Sequence, residues 1–95
     1  MERWEYHTEV WTADAKDNDA RSYLQRRWPD WEPPKYAVRS LIPKLNSFGK
    51  DGWELISLLP VEEGKNGDVA LCNSNSNGKN WAHQYLVVLR RRLPE

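Results

Sequence analysis

The chain has 95 residues with 14 basic and 14 acidic side chains and a single cysteine. That length supports one modest core and excludes two, and a net charge of zero excludes a global field drawing the chain to nucleic acid or anionic lipid. The lone Cys72 excludes an intramolecular disulfide and any cysteine-built metal site within one copy.

Charge is nevertheless uneven. Residues 1–19 carry two basic and six acidic groups, net −4, whereas residues 20–44 carry six basic and two acidic, net +4. Two patches of opposite sign can meet within one molecule or across an interface. No apolar run approaches the roughly 18 residues of a membrane span, and no leader or lipidation pattern is visible, so the expectation is a soluble cytoplasmic protein with no membrane partner. Six tryptophans are the oddity of the composition. Their simplest use is area, because each aromatic buries about 150–250 Å² and a small core gains most from them.

Residues 3–12 alternate, with Trp4, Tyr6, Thr8 and Val10 on one face and Glu5, His7, Glu9 and Trp11 on the other, which predicts a half-buried strand. Residues 13–19 read as a polar, acidic turn. Asp17 or Asp19 is placed to cap a short helix over about 20–28, which Pro29 ends. Pro29, Pro33 and Pro34 then hold residues 28–34 extended or turned.

Val38, Leu41, Ile42, Leu45 and Phe48 form a helical stripe over 38–50. Pro43 lies inside it, which predicts Ser40 near the N-cap with Pro43 in the first turn, or else a longer kinked helix from about residue 36. Gly49 and Gly52 suit the left-handed turn that stops it. A second strand over 53–59 and a third over 81–91 are apolar on both faces. Between them, 60–80 reads as a long loop rich in Gly, Asn and Ser, within which residues 69–72 are apolar enough to pair briefly.

Three pieces of this pattern carry a resemblance. Trp4-Glu5-Tyr6 opens the first strand. Leu45-Asn46 followed by Gly49, Gly52, Trp53, Glu54 and Leu55 joins helix to strand, and Tyr85 to Arg91 closes the chain in basic residues. Together these resemble the domain-of-unknown-function family 4177. The match spans residues 3–12, 38–59 and 82–92, and the chain departs from the short family pattern in the insert 13–35 and the loop 61–80. The resemblance implies a strand–helix–strand–strand domain, and it brings no activity and no catalytic residue with it.

The expected architecture is α+β in a single domain over 1–95: a three-stranded, mostly antiparallel sheet on one main helix, with a Trp/Pro-rich insert after the first strand. The third strand is expected between the other two. One helix covers one face, yet the later strands are apolar on both, so something must cover the second. An apolar patch on the order of 400 Å² is worth roughly 10 kcal/mol when buried, comparable to the whole stability of a small domain. The insert, with Tyr23, Leu24, Trp28 and Trp31, is one cover; a second copy of the chain is another; a ligand or foreign protein is the third.

Chemistry is thin by comparison. His7 and His83 are the only imidazoles. His7 beside Glu5 and Glu9 has the look of a cation site, but that spacing on a strand is a common accident. Gly64 to Asp68 and Gly78 to Asn80 lack the Gly-x-x-x-x-Gly-Lys-Ser/Thr pattern of a phosphate loop and read as solvated turns. No catalytic, cofactor or metal set is named, and no cofactor is expected. The expected interaction surface is Trp11, Arg26, Arg27, Trp28, Trp31 and Tyr36, serving a non-enzymatic, homo-oligomeric binding module. The competing expectation is a nucleotide or single-stranded nucleic acid held by Arg26 and Arg27 with those tryptophans, helped by Arg90 to Arg92. Zero net charge and the lack of a nucleic-acid-binding motif count against nucleic acid as a partner.

Overall fold

A computed structural model describes residues 1–72 and 81–94. Its elements in chain order are β1 (Trp4–Thr12), α1 (Asn18–Arg27), a 3₁₀ turn (Val38–Leu41), α2 (Ile42–Lys50), β2 (Glu54–Glu63), β3 (Val69–Leu71) and β4 (Gln84–Arg92). The strands form one antiparallel sheet in the order β1-β4-β2-β3. The α+β class and the central position of the last strand match the sequence reading. The strand number does not, because residues 60–71 are not loop. Strand β2 runs on through Pro60 to Glu63, turns at Gly64–Asp68 and returns as β3. The hairpin closes through the Gly64 N–H to the Asp68 carbonyl at 2.7 Å, with Gly67 at φ +86°. That is the solvated glycine turn expected of residues 64–68; the expectations for 73–80 lie outside the described residues.

The helix stripe over 38–50 divides in two. Val38–Leu41 is 3₁₀ and Pro43 sits in the first turn of α2, where it forfeits no helical hydrogen bond. Ser40 is not the cap: it is 8 % exposed inside the 3₁₀ turn, and its hydroxyl finds no partner among the described residues. At the other end Gly49 stays helical, and only Gly52 takes the left-handed turn, at φ +90°. The Trp53 N–H returns to the Phe48 carbonyl at 3.1 Å, which swings the chain sharply into β2.

Pairing register assigns the faces. His7 lies opposite Leu89, Glu9 opposite Val87 and Trp11 opposite Tyr85, while Leu58 faces Val87 from the other side. Directly paired residues share a face. This face meets α2: Trp11, Val87 and Leu89 are buried with Leu41, and Leu45, Phe48, Trp53 and Leu58 close around them. Trp11 is therefore the centre of the core, at 2 % exposure, and not part of any surface.

The insert does not cross the other face. The chain turns after β1 at Ala15–Lys16, as expected, but Ala13 and Ala15 are buried within that stretch. Helix α1, capped by the Asp17 carboxylate on the Ala20 N–H, packs beside the 3₁₀ turn and α2. There Ala15, Leu24 and Ala37 make a second small core with Tyr23, Trp28 and Trp31 against it. Among the described residues, no helix is long and apolar enough to cross a membrane.

Candidate functional site

The sheet face away from α2 carries Trp4, Tyr6, Thr8 and Val10 from β1, Leu86, Val88, Arg90 and Arg92 from β4, and Ser57 and Leu59 from β2. A register shift between Leu55 and Ser57 bulges Ile56 out of the ladder. Tyr6, Ile56 and Leu59 are 65 %, 46 % and 42 % exposed, so these apolar positions of the face are open, whereas Val10, Leu86 and Val88 are half-buried and Val61, opposite Gln84 on the same face, is buried. One end of it is charged and internally balanced. Arg90 pairs with Glu54 at 3.3 Å and Arg92 with Glu2 at 3.2 Å, and the Arg90 guanidinium sits 4.0 Å over the Trp4 ring.

On the helix side the same end is closed by Glu5 and Arg91, which are hydrogen-bonded, with Arg91 over Trp53 at 4.5 Å. Each of the three terminal arginines thus has a carboxylate partner. They stand at the opposite end of β4 from the insert, about 20 Å along the six residues from Gln84 to Arg90. The arginine–tryptophan nucleic-acid surface drawn from the sequence joined two clusters that the fold keeps apart.

His7 and Glu9 hold no joint site with Glu5, whose carboxylate goes to Arg91. His7 bonds Glu9 at 2.6 Å, the Trp11 indole N–H donates to the same carboxylate, and the His7 ring stacks on Phe48. The hydrogen bond from His7, then that from Trp11, holds the Glu9 carboxyl below the ordinary carboxylate range. Lys44 covers this network from α2, 5.1 Å over the Trp11 ring. The arrangement is structural: it pairs half-exposed polar groups with one another and with the buried Trp11 indole N–H at the margin of α2.

The other end of the sheet is concave. A cleft of about 730 Å³ opens between residues 31–39 and residues 81–85. Its two walls hang from one stretch of backbone. The Ala13 N–H donates to the His83 carbonyl and the Ala15 N–H to the Lys35 carbonyl, both at 2.8 Å. Ala13 and Ala15 are 0 % and 2 % exposed, so only small side chains let the walls come this close. Across the cleft Tyr36 and His83 stack with ring centroids 3.7 Å apart and planes 18° from parallel. Trp81, 75 % exposed, stands on the second wall and Trp31 on the first. Lys35 lies 5.3 Å over Tyr36, and the Arg39 guanidinium lies over both Trp28 and Trp31, at 4.2 and 4.7 Å.

Of the residues expected on a surface, Trp31 and Tyr36 line this cleft and Trp28 backs it through Arg39. Arg26 is exposed near the end of α1, and Arg27 is spent on its neighbours, donating to the Tyr23 hydroxyl at 3.1 Å and lying over Trp28. Lys35, Arg39, Trp81 and His83 were not singled out as site residues. The readable signal for them was the Trp11, Ala13, Ala15 alternation, which continues the apolar pattern beyond the end of β1, where the Ala13 and Ala15 N–H groups bring 83 and 35 together. The basic segment 20–44 meets the acidic 2–19 through Lys44, whose charge acts on Glu9, while Arg27, Lys35 and Arg39 rest on aromatic rings.

A second concavity, about 460 Å³, is lined by Asp14, Asp17, Asp19 and Lys44. Two of its carboxylates serve local backbone, Asp14 accepting from the Lys16 N–H and Asp17 from the Ala20 N–H. Among the described residues no group of three or more His, Cys, Asp or Glu side chains is placed to hold a metal ion. No family model, curated protein or solved structure matches the chain.

Proposed function

We propose that this chain is a non-enzymatic binding module that works as a homodimer, packed through the open face of its sheet. The observation that carries the reading is the exposure of Tyr6, Ile56 and Leu59 on a face over which no described segment folds. Three strands and four rows of side chains make an apolar area roughly 14 by 25 Å, on the order of 350 Å² in outline. Two such faces bury on the order of 700 Å² in outline, the scale of a weak, reversible association.

A second copy fits this face better than an arbitrary partner on electrostatic grounds. The charged end holds two acids, Glu2 and Glu54, and two bases, Arg90 and Arg92, already paired within the chain. Two copies related by a two-fold axis therefore meet at that end without net repulsion, and the Thr12–Gln84 end carries the exposed Glu63 at its margin. Kinship with family 4177 belongs to the same proposal. It rests on the Leu45–Leu55 join, which here makes the tight α2–β2 turn.

Sedimentation velocity from the low micromolar range upward tests the dimer. The expected result is a reversible monomer–dimer equilibrium that Leu59→Lys shifts to monomer while the circular dichroism spectrum is unchanged. A monomer at every concentration up to a millimolar ends this reading.

A further inference from the structure

The aromatic cleft at the insert end of the sheet is separate from the proposed dimer face and has a chemistry of its own. Three features converge there. The first is a set of π-faces: Tyr36 and His83 in a stack, with Trp31 and Trp81 on opposite walls. Such surfaces take a planar ring and are indifferent to its substituents, at about 1–3 kcal/mol for each stacked base.

The second is unneutralised charge. Lys35 and Arg39 both line the cleft, both are exposed, and no ion pair engages either among the described residues. The contrast with Arg90, Arg91 and Arg92, each of which has a glutamate, is internal to the molecule. Arg39 is also held for use. A guanidinium resting on indole faces commits its flat side and keeps its N–H edge for a planar or tetrahedral anion.

The third is rigidity and size. Both walls are tied by backbone hydrogen bonds to the buried Ala13–Ala15 stretch, so the rings are placed before any ligand arrives. The volume, about 730 Å³, falls within the range of small-molecule sites, roughly 300–1,000 Å³.

We propose that this cleft binds a purine nucleoside monophosphate, the base stacked on an outward face of the Tyr36–His83 pair and against Trp81, and the phosphate met by Lys35 and Arg39. A neutral ring leaves the two cations idle, and a bare anion leaves the aromatic walls in water. A ligand joining one ring to one doubly charged group answers both.

The test is a titration of ¹⁵N-labelled full chain with AMP and with GMP, followed through backbone amides and the tryptophan indole N–H signals. Saturable shifts are expected at Trp31, Trp81 and residues 34–39 and 82–85, with half-saturation below a millimolar for at least one nucleotide. Adenosine and inorganic phosphate, each alone, are expected to bind at least tenfold more weakly than AMP. Lys35→Gln, an exposed change, is expected to weaken AMP about three- to tenfold and leave adenosine as it was. Tyr36→Leu is expected to weaken both.

The proposal is overturned if neither nucleotide produces saturable shifts by 10 mM, or if the shifts centre on Tyr6, Leu59 and Val88. It is overturned equally if Lys35→Gln, with its amide spectrum otherwise unchanged, binds AMP as tightly as the parent chain. Because the dimer face and the cleft are read out by different residues, loss of either reading leaves the other standing.

Discussion

The two faces of the sheet make an instructive contrast. From β1 the covered face receives Glu5, His7, Glu9 and Trp11, and the open face Trp4, Tyr6, Thr8 and Val10. Counted by residue type, the open face is the more hydrophobic. The helix nevertheless sits on the other one, because Trp11 fills the space beneath α2 while Glu9 and His7 satisfy one another and the indole N–H. One large, well-placed ring with its polar neighbours paired outweighs a simple majority of apolar side chains. The rows left over are then available to a partner.

The contrast is most easily broken at its centre. Trp11→Ala removes the largest fully buried side chain of the covered face, and a cost of about 3–5 kcal/mol is expected. Urea denaturation followed by circular dichroism measures it; a loss under 1 kcal/mol would mean that α2 packs on the sheet without this ring. Leu59→Lys on the open face is expected to do the opposite, leaving the monomer's unfolding midpoint nearly unchanged while weakening self-association at least tenfold, about 1.4 kcal/mol. Equal effects of these two substitutions on monomer stability would erase the distinction between the faces.

Gly52→Ala sharpens the join between helix and covered face. An added Cβ meets only the Arg91 side chain, at 3.6 Å, so the expected cost of about 1–2 kcal/mol comes from the left-handed backbone and not from crowding. Replacement by Asn, which tolerates that conformation better, is expected to cost less than Ala. If Asn costs as much, crowding is the cause after all.

The smallest effect concerns Glu9. Its carboxyl ionises more readily in the folded chain than when unfolded, so the stability it contributes is complete above the unfolded carboxylate range and is lost as pH falls through the lowered folded value. The unfolding midpoint of the parent chain is therefore expected to fall more steeply than that of Glu9→Gln between pH 6 and pH 3. Parallel pH profiles would show that the His7–Glu9–Trp11 contacts do not favour the ionised form.

Much of this fold is legible in the sequence because it is written at short range. The alternation of residues 4–11, the 38–48 stripe, the Pro43 position and the Gly52 stop each depend on neighbours within a turn or two. Helix α1 was found from its acidic cap and Pro29. The brief pairing of residues 69–72 was legible, but not its partner, because Val69–Leu71 is three residues long and takes its place only from lying against Val61–Glu63. Ser40 lies one residue before the Leu41 N-cap, near the place expected, but in a 3₁₀ turn whose short repeat the sequence did not separate from the helix.

By itself the sequence determined that strand, helix and closing strands exist, that the sheet has more apolar surface than one helix can cover, and that the insert carries both aromatic and basic residues. Only the tertiary structure decided which face α2 takes, that the insert packs beside α2 and not across the sheet, and that Lys35 and Arg39 meet Tyr36 and His83 in one cleft. The reason is physical. Periodicity and capping are local and leave a trace in consecutive residues, whereas the choice of face and the meeting of residues 35 and 83 depend on fit between segments whose separation along the chain carries no record of it.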